Sequence, residues 1–343
     1  MATARAKRSE LAQRELRGKQ AAQLASALQA LYEGRNKLIK EMRALRFMER
    51  EVYVPPAYAA STIQIRTPLM NDLVQRLAGA LSVNVPQVKV PPRPKGDQAL
   101  AQRNSTLLEK WTQTWLQEME HQENDRIFYR FLDYLCRDGH GVLKLTHKNE
   151  AWAELGEVAD DVTAEDAKAF SEDRKLQKTG LSLPFSLKVV DPLTFYPRYT
   201  DGGLAEVLEI TKRPKIYVAR EFGVSGWSED TKPVFGRAIE TESSSAMTGE
   251  CEFWEHWTMD RVDYYINGTW VGGMEHGYDR IPYFHALGTQ TSSRDPDKEG
   301  LSVGHQLRHI IPALDSLLSM KTNAAFLTSY PTFKRERPIG APS

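Results

Sequence analysis

The sequence predicts an α+β protein: a body of helices and antiparallel strands, followed by a long amphipathic helix. Three observations predict it. Apolar residues recur at helical spacing between Leu24 and Leu135. Strict alternation around a tight-turn dipeptide runs through Cys251–Val271. A further helical stripe, Leu307, Ile311, Leu314 and Leu318, follows Gly300.

The elements follow in order. Leu24, Ala27, Leu28, Leu31, Leu38 and Met42 predict a helix over 20–48. Val54-Pro55-Pro56 breaks it. Thr67 and Pro68 read as cap and first turn of a second helix, with Leu69, Leu73, Leu77 and Leu81 as its apolar stripe. The proline-dense stretch 84–94 reads as an extended arm. Leu107, Trp111, Trp115 and Met119, then Ile127, Phe131 and Leu135, predict helix over 98–137, whole or split at Gln122-Glu123-Asn124. Its tryptophans are expected in the core.

Gly139 reads as a left-handed helix cap ahead of a strand at Val142–Thr146. The acidic stretch 150–175 reads as loop and short helix. Strands are expected at Leu187–Val190 and Val207–Thr211, with Asp191-Pro192 as a turn and Ile216–Phe222 as a short helix. Residues 223–249, rich in Ser, Gly and Thr, read as a surface excursion. Cys251–Trp257, Arg261–Ile266 and Thr269–Val271, with Asn267-Gly268 between the last two, predict a meander that Arg280–His285 closes. The last helix is expected over 301–330, capped by Ser302, kinked at Pro312 and stopped at Pro331. Its polar positions Arg308, Asp315, Thr322 and Ser329 repeat every seven residues and are expected to face water.

The chain has 343 residues, 41% of them apolar, with a mean hydropathy of −0.50; two or three packed units with a moderate core fit these values. Charged residues make up 26% and cancel to zero, which excludes a uniformly cationic nucleic-acid coat and an acidic disordered chain. Two cysteines, Cys136 and Cys251, exclude a disulfide scaffold and a Cys-rich zinc module, and their pairing stays open. No run of 18 apolar residues predicts a membrane span. Residues 1–19 read as a basic tail without the apolar stretch of a secretory signal.

Charge is uneven locally. Residues 1–50 hold twelve Lys/Arg against five Glu, a net +7; residues 150–173 hold nine acids against Lys168, a net −8. Residues 321–343 hold Lys321, Lys334, Arg335 and Arg337 against Glu336, a net +3. Such patches suit self-assembly or a polar partner surface.

Catalytic patterns are missing. His305 and His309 have metal-ligand spacing, but the adjacent glutamate of a zinc protease is absent. Cys251, His256 and His276 supply only one thiolate. There is no phosphate-binding loop, dinucleotide fingerprint or nucleophile elbow. No cofactor is expected, and the protein is not expected to be an enzyme.

An ordered series of segments resembles the portal proteins of tailed bacteriophages, the head-to-tail connector rings. It comprises the basic N-terminal helices, Arg66-Thr67-Pro68-Leu69-Met70-Asn71-Asp72-Leu73-Val74, the 85–92 arm, the Trp-rich helix, the Asp138-Gly139-His140-Gly141 turn, Val189–Pro197, the Trp254–His285 meander and Glu299-Gly300-Leu301-Ser302 before the last helix. The resemblance implies a wing over 20–300, a stem helix over 301–330 and the start of a clip over 331–343. It implies a dodecameric ring at a capsid vertex, in the virion and in the host cytoplasm during assembly. Its partners would be a terminase motor, capsid and tail adaptor proteins, and duplex DNA passing through without sequence-specific contacts. Lys321, Lys334, Arg335 and Arg337 become candidate DNA or motor contacts, and Leu307, Ile311, Leu314 and Leu318 candidate stem packing. A portal continues past this point into a second stem helix, so the resemblance implies either a fragment or a reduced member. Rival readings are another phage scaffold, such as a minor capsid or baseplate-type protein, and a metal-dependent hydrolase or nuclease.

Overall fold

Helical spacing over the first 138 residues resolves into five helices in the computed structural model, which describes residues 2–53, 63–83, 88–92, 98–122, 126–147, 185–227, 232–235, 249–293 and 295–329. They are α1 (Ala2–Leu31), α2 (Glu33–Arg46), α3 (Leu69–Ser82), α4 (Gln98–Gln122) and α5 (Ile127–Asp138). Strands β1 (His140–His147), β2 (Phe185–Val190), β3 (Phe195–Thr200) and β4 (Gly203–Pro214) follow, with a 3-10 turn at Pro192–Thr194. Then come α6 (Lys215–Phe222), β5 (Val224–Trp227), β6 (Pro233–Phe235), β7 (Glu250–Trp257), β8 (Arg261–Ile266), β9 (Thr269–Glu275), β10 (Tyr283–Leu287) and β11 (Thr289–Gln290). The series ends with α7 (Pro296–Glu299), β12 (Gly300–Leu301), a 3-10 turn at His305–Leu307 and α8 (Ile310–Ser329). The class is α+β.

Two antiparallel sheets stack face to face. One has the order β3-β4-β7-β8-β9, the other β10-β1-β2. Alternation decides what each face meets. Tyr196, Leu208, Trp254 and Tyr265 point toward α1 and pack on Ala21, Ala25 and Leu28. Residues at odd spacing from them on the same strands, Phe195, Val207, Trp257 and Val262, point the other way and meet Val142, Val190 and Tyr283 of the second sheet. The far side of that sheet packs Leu187 against Trp115, Leu116 and Ile127 of α4 and α5. A separate cluster of Met42, Leu45, Met70, Val74, Cys136 and Ile311 ties α2, α3, α5 and α8 together.

The meander forms where alternation predicts it. Asn267 and Gly268 both take positive φ, 46° and 77°, as the tight hairpin turn requires. Gly139 is left-handed at φ 79° and ends α5. Several expectations change. Residues 1–19 are helical from Ala2 rather than a tail. The 20–48 helix breaks at Tyr32, whose hydroxyl donates to Pro197 O at 2.8 Å. β10 pairs with β1, Val142 opposite His285, so Arg280–His285 belongs to the other sheet and does not close the meander.

The α3 stripe is one residue off: Met70, Val74 and Ala78 are buried, while Leu69, Leu77 and Leu81 are exposed. Leucine content favoured the wrong row, because both rows have the same period of four. Helix α3 begins at Leu69 after Pro68, and Thr67 bonds α8 instead of capping α3. Trp115 is core as expected, but Trp111 is 53% exposed and stacks on it. The acidic stretch 150–175, most of the 223–249 excursion and the end from 330 lie outside the described residues.

Candidate functional site: an inverted terminal helix

The last helix starts at Ile310, not 301, and spans 20 residues. Ser302 is buried, donating to Cys136 O at 3.1 Å and accepting from Gly304 N, so it braces the approach to the helix instead of capping it. Pro312 falls in the first turn, where its missing N–H is harmless.

Burial on α8 runs opposite to the ordinary amphipathic rule. Asp315, Ser319 and Asn323, four residues apart, are buried, while Ile310, Leu317 and Phe326 are 59%, 61% and 46% exposed. The buried polar row carries an extended strap formed by residues 63–67. Asp315 Oδ1 accepts from Thr67 N at 2.9 Å and Thr67 Oγ1 at 2.7 Å. Ser319 Oγ accepts from Ile65 N at 2.9 Å. Asn323 brackets Ile63, accepting from its N at 3.0 Å and donating to its O at 3.1 Å. Two extended residues advance about 6.7 Å and four helical residues about 6 Å, so every second strap residue meets the next helical turn. Arg50 closes the row through an ion pair with the other oxygen of Asp315.

A second extended stretch uses the same device. Val90 N donates to Glu109 Oε1 at 2.9 Å and Val88 N to Gln113 Oε1 at 3.4 Å, again four residues apart on α4.

Among the residues expected for stem packing, Ile311 is 1% exposed in the four-helix cluster with Leu307 packed beside it. Leu314 and Leu318 are only half-buried. The seven-residue polar row does not face water as a unit. Asp315 is fully buried, Arg308 and Thr322 are half-buried, and Ser329 is exposed. Lys321 is exposed; Lys334, Arg335 and Arg337 lie outside the described residues.

The basic N-terminal half is also turned inward. Arg43 donates to Asp138 and Asp191 at 2.6 Å each, and Arg46 to Asp133 at 2.6 Å. Arg137 completes the hub through Asp138 and Asp133. Burial alone would lower the pKa of Arg43, but the two aspartates outweigh it and hold it above the ordinary value. Arg35 is 1% exposed and donates to Pro192 O and Phe195 O; burial pushes it down to about 10. Arg17 lies over the Trp270 ring at 4.8 Å. Arg35, Arg43, Arg46 and Arg50 of the basic stretch 1–50 are therefore internal, while Lys19, Lys37 and Lys40 are exposed.

A cavity of about 680 Å³ opens between the stacked sheets beside Lys144, Glu209, Glu255, Arg213 and Trp257. Lys144 bridges the sheets, paired with Glu209 at 3.0 Å and with Glu255. Burial disfavours its ammonium, yet the two carboxylates outweigh that and hold its pKa above the ordinary lysine value. Burial would raise Glu255, but Lys144 and Arg213 hold it below the usual carboxylate range. A lysine kept protonated has no lone pair for attack, and a carboxylate kept ionised is a poor general acid.

Cys251, His256 and His276 each have separate partners: Arg213 O, Glu206 and Thr258 O. Among the described residues no group of three or more His, Cys, Asp or Glu side chains is placed to hold a metal.

No protein-family model matches the chain, and no curated protein matches it.

The functional reading therefore rests on the residues themselves. Sequence reasoning missed Arg50, Ser319, Asn323 and the 63–67 strap. One signal was available: Asp315, Ser319 and Asn323 recur every four residues along one face of the helix. Their partner is some 250 residues away, at a distance that spacing rules cannot reach.

Proposed function

We propose that the chain is a subunit of a portal ring: a structural, non-enzymatic protein at one capsid vertex. Through the ring duplex DNA enters and leaves, and on it the packaging motor, capsid and tail adaptors dock. The observation that carries the reading is the inverted α8. Its polar row is held by its own strap, and Ile310 and Leu317 on the opposite side are left exposed. From Ala313 to Ser329 the helix and strap form an arm about 25 Å long. An exposed apolar row of this kind marks an interaction surface, and a ring of identical subunits supplies a cover for it in every copy.

The internal charges support the same reading. Ion-paired Arg43, Arg46 and Lys144 stiffen the junctions between helices and sheets. DNA moving through a channel needs weak, sequence-independent contacts; a continuous cationic track would hold it. No helix among the described residues is long and apolar enough to cross a membrane.

Negative-stain electron microscopy of the purified chain tests the proposal. Closed rings with an axial channel are expected. Monomers, or open filaments without a channel, would overturn it.

A further inference from the structure

We infer that the acidic stretch 150–173 packs on the outer face of helix α4 of its own chain, over Trp111. That face is apolar and open: Leu107, Leu108 and Trp111 are 56%, 51% and 53% exposed. Trp111 stacks on Trp115 at 6.4 Å and meets Phe185 edge-on at 6.3 Å. Beneath it, the indole N–H of Trp115 has no hydrogen-bond partner among the described residues, although Trp115 is only 9% exposed. An apolar patch beside an orphaned buried donor marks a docking surface that lacks both its cover and an acceptor.

The path of the chain selects the occupant. Strand β1 ends at His147 and β2 begins at Phe185, and these two rings lie 5.6 Å apart. Both ends of the stretch 148–184 therefore border the patch. Trp152 follows His147 by five residues, a reach of about 17 Å when extended. From Trp152 onward, Leu155, Val158 and Val162 recur three or four residues apart, with Glu154, Glu157 and Asp161 beside them. That is an apolar row flanked by carboxylates. Charge agrees. On α4, on the 88–92 arm and on β2, the described charged side chains are Lys89, Arg103, Lys110 and Lys188 against Glu109 and Glu118, four bases to two acids and a net +2. Glu109 is already engaged by Val90 N. The net −8 of residues 150–173 complements this surface, and exposed Arg103 and Lys110, on either side of Leu107, are placed to take its carboxylates.

The test is a cross-link within one chain. A chain carrying Leu107→Cys and Leu155→Cys is oxidised mildly at low protein concentration, beside a control carrying Leu317→Cys and Leu155→Cys. Leu107 and Leu317 are both exposed, so replacing them leaves the core intact, and the native Cys136 and Cys251 are buried. The first pair is expected to close about tenfold faster than the control, because packing raises the effective concentration of one thiol at the other. Adding Arg103→Glu and Lys110→Glu is expected to slow it toward the control rate with an unchanged circular dichroism spectrum. Equal rates for the two pairs would overturn the packing, and an unchanged rate after the charge reversal would overturn its electrostatic basis. Mixing chains that carry Leu107→Cys alone with chains that carry Leu155→Cys alone separates the occupants. A disulfide between the two kinds of chain, or a dimer of the Leu107→Cys chain through that position, would assign the face to a second copy and overturn the inference.

Discussion

Arg50 and Asp315, 265 residues apart in sequence, form an ion pair that fixes the terminal helix to the body. The carboxylate is fully buried, and its second oxygen holds both the N–H and the hydroxyl of Thr67. One side chain thus joins three segments: the end of the α2 region, the strap and α8.

Asp315→Ala is expected to cost about 3–5 kcal/mol, because it leaves the Arg50 guanidinium buried without its partner. Asn323→Ala, at the outer end of the strap, is expected to cost only about 1 kcal/mol. Urea denaturation followed by circular dichroism measures both. Equal small losses would show that the strap is not anchored at Asp315.

Lys144→Met is expected to leave Glu209 buried without a cation beside Glu255, which keeps Arg213 at 2.7 Å. One of the two then keeps a proton in the folded state, so its folded pKa rises above the unfolded value. Stability contributed below that value is lost as pH rises. The variant should be less stable at pH 8 than at pH 5, when each is compared with wild type at the same pH. A pH-independent difference would contradict the pairing.

His140 and His285 are expected to make the fold acid-sensitive. Their rings stack, with His140 Nδ1 and His285 Nε2 at 3.1 Å, and the Tyr199 hydroxyl lies 2.6 Å from His285 Nδ1. A neutral His285 accepting from Tyr199 and donating to His140 satisfies this chain. Burial first, then Arg35, lowers His285 to about 4; burial, His285 and Arg35 lower His140 to about 2. In the unfolded chain both take protons near pH 6.5. The unfolded state therefore binds more protons below that pH, and stability falls as pH drops from 6.5 toward 4, by on the order of 3 kcal/mol for His285. His285→Gln should flatten that part of the profile in a denaturation series.

Gly139 and Gly79 should respond oppositely to alanine. A Cβ on Gly139 would lie 2.6 Å from Leu301 C and 2.7 Å from Ser302 N, and the residue is left-handed. Gly139→Ala is expected to cost more than about 2 kcal/mol. Nothing lies within 4 Å of a Cβ on Gly79 inside α3, so Gly79→Ala is expected to stabilise by about 0.5–1 kcal/mol. Thermal melts of the two variants check the contrast.

Local chemistry was the legible part of the fold. The meander followed from alternation and Asn267-Gly268, and the end of α5 from Gly139. What spacing could not choose was which of two equivalent rows is buried. Leu69, Leu77 and Leu81 look like a core row, yet the smaller Met70, Val74 and Ala78 occupy the packed side. Long-range partners were equally hidden. The arginines of α2 read as a basic surface because Asp133, Asp138 and Asp191 lie about a hundred residues away or more. The same limit explains why Asp315 was expected in water: its partners Arg50 and Thr67 come from the other end of the chain.

The central claim is that the exposed row of α8 is an assembly surface. Native mass spectrometry of wild type beside Leu317→Asp tests it most directly, since Leu317 is 61% exposed and its replacement leaves the buried cluster intact. Wild type is expected as a large oligomer and Leu317→Asp as a folded monomer with an unchanged circular dichroism spectrum. A monomeric wild type, or an oligomer of the same size in both, would contradict the account.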